Sequence, residues 1–309
     1  MQIDTVMSRR NILKAGLLAA GGSCLPLGLG RASDAQEKSL YGPFKVGIQS
    51  YSLRGFDAKT ALQHTRKLGL QYWEAYPAHV PLGTLPAHIA EQRKMLSDAG
   101  VTLLAYGVVG FDANETKARE YFDFAKAMGL VSLSANPKKD KATFDLLDKL
   151  VDEYNVAIAI HNHGPGALYD KVGDVEEMVR DRHPLIGACV DTGHYLRSDE
   201  NPTEVIQKLG NRVHGVHLKD VRSIRDPKEV AKLEKEIDPR RLKQFQKESK
   251  IFTILGEGDL DVVGCLKALK ELDYSKSVSI EYEENPDNPL SDIEVSLNHL
   301  RKCVATVTT

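Results

Sequence analysis

Short runs of consecutive apolar, often β-branched residues alternate along this chain with longer stretches in which Leu and Ala recur every three or four positions. The short runs are Val46–Leu53, Leu70–Tyr76, Thr102–Val109, Leu130–Asn136, Val156–His163, Leu185–His194, Arg212–Val221 and Ser277–Glu283. Seven of them start 24 to 32 residues after one another, and the eighth follows after 65. That spacing suits a strand, a crossover helix and two turns. Continuous apolar runs mark parallel strands covered by helices, whereas strands with one wet face alternate. Ala58–Leu68, Glu115–Met128 and Ala142–Tyr154 read as helices, with Gly69, Gly100 and Gly129 as stop signals after helical stretches. Eight such units predict an α/β fold of the (β/α)8 TIM-barrel type, a single domain with a long insertion after strand 7. The insertion, Arg222–Ile251, is rich in Lys, Glu and Arg and is punctuated by Asp226-Pro227 and Asp238-Pro239. It reads as a loop carrying one or two short helices over the barrel mouth.

The first 35 residues do not fit this pattern. Ser8-Arg9-Arg10-Asn11-Ile12-Leu13-Lys14 precedes a weakly apolar, Gly-rich run from Ala15 to Gly30, and then Arg31-Ala32-Ser33-Asp34-Ala35. Paired arginines before a short apolar stretch resemble a twin-arginine export signal cleaved near Ala35. The expected organisation is a signal peptide over 1–35 and a barrel domain over 36–309, with a periplasmic or otherwise exported location. The run is too short and glycine-rich for a stable membrane span. Cys24 would leave with the signal, and Cys189, Cys265 and Cys303 would remain. Outside the cytoplasm a Cys265–Cys303 bridge is permitted, and sequence leaves it open.

Composition then narrows the function classes. At 309 residues, 42% hydrophobic and 27% charged, the chain can bury a large core, which excludes disorder. A formal charge of −2 offers no excess to neutralise a phosphate backbone, so nucleic acid is not an expected partner.

The chemistry collects at the strand ends, where a barrel of this kind keeps its active site. Strand two ends in Glu74, and strand five in His161-Asn162-His163. Strand six ends in Asp191-Thr192-Gly193-His194, and strand seven in His217-Leu218-Lys219-Asp220. Gly256-Glu257-Gly258-Asp259 precedes strand eight, which ends in Glu281-Tyr282-Glu283. Imidazoles and carboxylates converging on one rim bind a divalent cation, and His161, Asp191, His217 and Glu281 would suit Mn²⁺, Co²⁺, Fe²⁺ or Zn²⁺. Strand alternation puts His161 with His163 and Glu281 with Glu283, so only one of each pair need be the ligand. His214 reads as structural. Trp73, Tyr76, Phe56 and Tyr106 could form an apolar wall for a sugar, though aromatics there are more often core.

The ordered motifs V-D-T-G-H, V-H-L-K-D, G-E-G and I-E-Y-E make the chain, over roughly Val46 to His299, similar to the xylose isomerase-like TIM-barrel superfamily, also described as the sugar phosphate isomerase/epimerase family. That resemblance implies a metal held by Glu, Asp, His and Glu from strands five to eight. Asp191, His217 and Glu281 match the pattern, but the strand-five position is His161. In the epimerases the two glutamates move protons on opposite faces of the substrate, so this departure takes one base away. The resemblance implies a small-molecule carbohydrate partner and a homodimer as a form the chain could take. The expected activity is a metal-dependent sugar isomerase or epimerase on an unphosphorylated sugar. The alternative is a lyase or dehydratase performing β-elimination on a 3-keto sugar or 3-keto-glycoside. In either case Glu281 would take a proton, with Lys219, His163 and Glu257 as further catalytic residues and Glu74, His194 and Glu283 as substrate-binding ones.

Overall fold

A computed structural model describes residues 40–309. The export signal expected over 1–35 lies outside the described residues. Eight parallel strands close into a barrel: β1 (Lys45–Gln49), β2 (Tyr72–Ala75), β3 (Thr102–Phe111), β4 (Ser132–Pro137), β5 (Ala157–His161), β6 (Ile186–Asp191), β7 (Val213–Leu218) and β10 (Ser277–Ile280). The neighbours run in chain order, and β10 pairs with both β7 and β1 to complete the ring. All eight strands coincide with the eight apolar runs. Crossover helices include α1 (Ala58–Lys67), α2 (Pro86–Asp98), α3 (Glu115–Met128), α4 (Lys141–Tyr154) and α5 (Val172–Val179). Asp57, Asn114 and Asp140 start α1, α3 and α4 by accepting a backbone N–H through their side chains. Gly129 ends α3 in the left-handed region.

At β1 and β6 the strand stops short of its apolar run because side chains at the tip turn the backbone. The Gln49 side chain accepts from Tyr51 N, converting Ser50–Leu53 into a 3-10 turn after β1. Asp191 Oδ1 accepts from His194 N, so β6 gives way at once to a short helix, α6 (Thr192–Arg197). A longer helix, α7 (Pro202–Leu209), then leads back to β7.

The insertion after β7 holds the two short helices expected, α8 (Pro227–Glu236) and α9 (Pro239–Glu248). It also holds something the pattern did not reveal. The helices are carried on an antiparallel ribbon of β8 (Asp220–Ser223) and β9 (Lys250–Thr253), in which Val221 faces Phe252. Two outer helices, α10 (Val262–Glu271) and α11 (Leu290–Thr308), complete the layer. Cys189, Cys265 and Cys303 are free and buried, so Cys265 and Cys303 are not bridged; they lie beside Thr203 and His299 respectively. Among the described residues no helix is long and apolar enough to cross a membrane.

Candidate metal centre at the barrel rim

The tips of β5, β6 and β7 are joined by side chains that bond to backbone. Asn162 donates to the Asp191 carbonyl at 3.0 Å and accepts from Asp191 N at 2.9 Å. Thr192 Oγ1 donates toward the carbonyls of His217 and Lys219 and accepts from Lys219 N. These ties bring His161, Asp191 and His217 together, and Glu281, whose N donates to the Leu218 carbonyl, completes a group in which one ligand atom from each lies within 4.8 Å of all the others. His217 Nδ1 is 3.0 Å from Glu281 Oε2, 3.1 Å from His161 Nε2 and 3.8 Å from Asp191 Oδ2, while His161 Nε2 is 3.5 Å from Asp191 Oδ2.

The donor set fits a divalent ion. Ligands about 2.1 Å from one ion stand about 3.0 to 3.4 Å apart in octahedral or tetrahedral arrangements, close to the separations here. Asp191 Oδ2 and Glu281 Oε2 are buried and, among the described residues, accept no well-directed hydrogen bond. His217 Nε2 lies 2.8 Å from Glu74 Oε2, so the carboxylate accepts its proton and Nδ1 turns a lone pair toward the cluster. His161 Nδ1, 3.4 Å from His163 Nδ1, leaves Nε2 for the same purpose. Glu74 is thus buried behind His217 as a brace and does not line the cavity.

The cavity above the cluster has a volume of about 310 Å³. His161, His163, His194, Lys219, Glu281 and Glu283 line it, with Gln49, Tyr51 and Tyr76 among the other residues on its walls. Glu257 is not among them; it is exposed on the turn between β9 and α10. Of the aromatics expected as a wall, Tyr76 lines the cavity, while Trp73 and Tyr106 are core and Phe56 packs on His64. Tyr51 takes their place, 38% exposed and edge-on to Tyr76.

Charge at the rim is dense and paired. Lys219 Nζ lies 2.9 Å from Asp191 Oδ2, 2.9 Å from Glu281 Oε2 and 2.6 Å from Glu283 Oε1. Burial works against the Lys219 ammonium, but Asp191, Glu281 and Glu283 outweigh it and hold its pKa well above the ordinary range. Burial would raise the Glu281 carboxyl, and Lys219 and His217 instead bring it down to about 2. Burial, followed by Lys219, lowers His194; burial, followed by His161 and Lys219, lowers His163. Both rings therefore stay neutral, which removes them as ready proton donors. Arg197 Nη1 stands 2.9 Å from His194 Nδ1 and Lys219 Nζ 3.4 Å from its Nε2, so both ring nitrogens face cations that only donate.

The insertion reaches this rim. Phe252 of β9 packs edge-on to His194 and has the cationic groups of Lys219, Arg241 and Arg197 within 5.2 to 5.5 Å of its ring centre. Glu248 of α9 forms a two-pronged pair with Arg197, and Arg241 of α9 pairs with Glu283 and Glu284. Sequence reasoning did not single out Arg197, Arg241 or Phe252. Arg197 had a usable signal, since it lies one helical turn after His194.

The glycine in V-D-T-G-H has a steric reason. A Cβ at Gly193 would stand 2.7 to 3.0 Å from the Lys219 stem. Gly258 in G-E-G is constrained similarly, because a Cβ there would meet Asp220 Oδ1 at 2.3 Å.

Known proteins share this frame. Inosose dehydratases of Clostridium tetani and of Clostridium botulinum strain Alaska E43 are 32% and 34% identical over 149 and 147 residues. Each match covers 47% of this chain and 47% of the relative, so the chain spans about half the length of the curated relatives it matches. Among solved structures, a xylose isomerase domain protein from Alicyclobacillus acidocaldarius superposes with a TM-score of 0.63 at 17% identity, over 86% of this chain and 99% of its own. The IOLI protein, solved with a bound zinc atom, superposes with a TM-score of 0.62 at 17% identity, over 85% and 99%. The family pattern for the xylose isomerase-like TIM barrel matches residues 62–303, most of the chain, a span within which the four cluster residues fall. The chain belongs to the xylose isomerase-like TIM-barrel family.

Proposed function

We propose that this chain is a divalent-metal-dependent carbon–oxygen lyase. It would take the proton beside a ketone on an unphosphorylated, polyhydroxylated six-membered ring and expel the oxygen at the β-carbon. One observation carries the reading. Glu281 is the one carboxylate that belongs both to the ligand cluster and to the cavity wall, because His161 fills the strand-five position. An epimerase needs proton-transfer groups on both faces of the substrate carbon, whereas an elimination needs one. The likeness to inosose dehydratases points the same way.

His161, Asp191, His217 and Glu281 would hold the ion, which would supply Lewis acidity at the carbonyl and a neighbouring hydroxyl. Glu281 lends Oε2 to the cluster and offers its other oxygen to the carbon-bound proton. Lys219 stays protonated and stabilises charge growing on the carbonyl oxygen. His194 and His163 hydrogen-bond the substrate's hydroxyls. The proton Glu281 takes from carbon is returned to the departing oxygen, so the side chains end the cycle unchanged. Tyr51 and Tyr76 cover the apolar side of the ring. We also propose that residues 1–35 direct export of the folded chain, which would bring it to unphosphorylated substrates.

The test is proton NMR in D₂O with Mn²⁺-loaded protein, an inosose and a 3-keto-glucoside. Elimination predicts an enone together with released water or aglycone. Deuterium exchange with no group lost would refute the lyase and restore the isomerase. His217→Ala should abolish ion binding, and full occupancy in that variant would refute the ligand set.

A further inference from the structure

Lys219 places a second cation on oxygens that the metal cluster needs. Its Nζ stands 2.9 Å from Asp191 Oδ2 and from Glu281 Oε2, two of the four cluster atoms, and 2.6 Å from Glu283 Oε1, which lies outside the cluster. The side chain is 2% exposed, so water screens it little. An ammonium and a divalent ion on the same two oxygens would repel strongly there. The charges suggest how this is resolved: two positive charges neutralise Asp191 and Glu281, leaving Lys219 and Glu283 as a one-to-one pair.

We propose that Lys219 is a built-in counter-ion which an incoming divalent ion displaces toward Glu283, so that Glu283 sets metal affinity without being a ligand. Without the ion, Lys219 holds the two carboxylates together; with it, the ammonium rests on Glu283 at the cavity wall. Arg241 of α9, 3.5 Å from Glu283 Oε2, shares that carboxylate, so the insertion helix takes part in the balance. This inference rests on the ligand assignment above and goes beyond it, since it assigns the affinity to a pair that touches no ion.

The experiment titrates Co²⁺ into the full chain against a competing chelator, following visible absorption, for wild type, Lys219→Met, Glu283→Gln and the double variant. Residues that support metal ligands commonly shift affinity by about 10- to 100-fold. Lys219→Met should tighten Co²⁺ binding by about that factor, and Glu283→Gln should weaken it by about tenfold. The double variant should match Lys219→Met, because Glu283 acts only through the lysine. If Lys219→Met does not fold, the weakening in Glu283→Gln carries the test alone, since Glu283 lies at the cavity wall. Binding by wild type with no shift in the variants, or equal weakening by Glu283→Gln with and without Lys219, overturns the proposal and leaves the ligand set standing. No Co²⁺ binding by either wild type or Lys219→Met overturns both.

Discussion

Replacing Asp220 by asparagine keeps the shape of the side chain and removes one of its two acceptor oxygens. The native carboxylate gathers four backbone N–H groups. Oδ1 accepts from Val221 at 2.8 Å and Leu260 at 3.0 Å, and Oδ2 accepts from Gly256 at 2.9 Å and Gly258 at 3.1 Å. In D220N the remaining carbonyl will turn to the buried pair, Val221 and Leu260, and its NH₂ will face the amides of Gly256 and Gly258. A buried polar group left without a partner costs about 1–3 kcal/mol. The glycine amides are only part-buried, so each falls in the lower part of that range and the loss should be about 2–4 kcal/mol. D220A abandons all four amides and should lose more. Urea unfolding at pH 7, with the slopes compared to confirm a common unfolded state, measures both. The reasoning fails if D220N lies within about 0.5 kcal/mol of wild type, the scatter of ordinary surface changes. It fails equally if D220A is no worse than D220N.

Two further effects should be measurable. His214 is buried with Nε2 3.0 Å from the Pro184 carbonyl, and burial, then Lys276 at 2.7 Å, then Arg212 act to push it down to about 4. The unfolded ring takes up a proton near pH 6.5 and the folded one only near 4, so this contribution is complete above 6.5 and lost as pH falls between them. By pH 4.5 the loss should be about 2–3 kcal/mol, and H214Q should show a flatter stability profile by that amount; parallel profiles would exclude it. Phe252, 8% exposed beneath three cations, should cost about 3–5 kcal/mol on truncation to alanine, read by the same unfolding assay. A loss under about 1 kcal/mol would mean that the β8–β9 ribbon does not pack on the rim as described.

The barrel was legible because each parallel strand is buried on both faces and its apolar run is continuous. That His161, Asp191, His217 and Glu281 come together was legible because strand tips are where such a barrel converges, and alternation sorted His161 from Asn162. The strand ends were read too long at Leu53 and His194, since Gln49 and Asp191 turn the backbone through side-chain bonds that hydrophobicity does not report. The β8–β9 ribbon escaped for a different reason. Each strand has four residues, and their partners are separated by two helices, so no local turn signal joins them. Glu257 and Trp73 were grouped with the site by position alone; one side chain is exposed on a turn and the other is core, bonded through Nε1 to Thr65.

The bonds of Asn162 and Thr192 carry a consequence for how such a rim changes over time. Neither clasp involves the residue at 161: Asn162 grips the Asp191 backbone, and Thr192 grips the β7 tip. The scaffold that spaces the candidate ligands is therefore independent of which side chain stands at 161. On the proposed chemistry, exchanging histidine for glutamate at that one position would add a proton acceptor to the pocket and leave the rest of the framework intact.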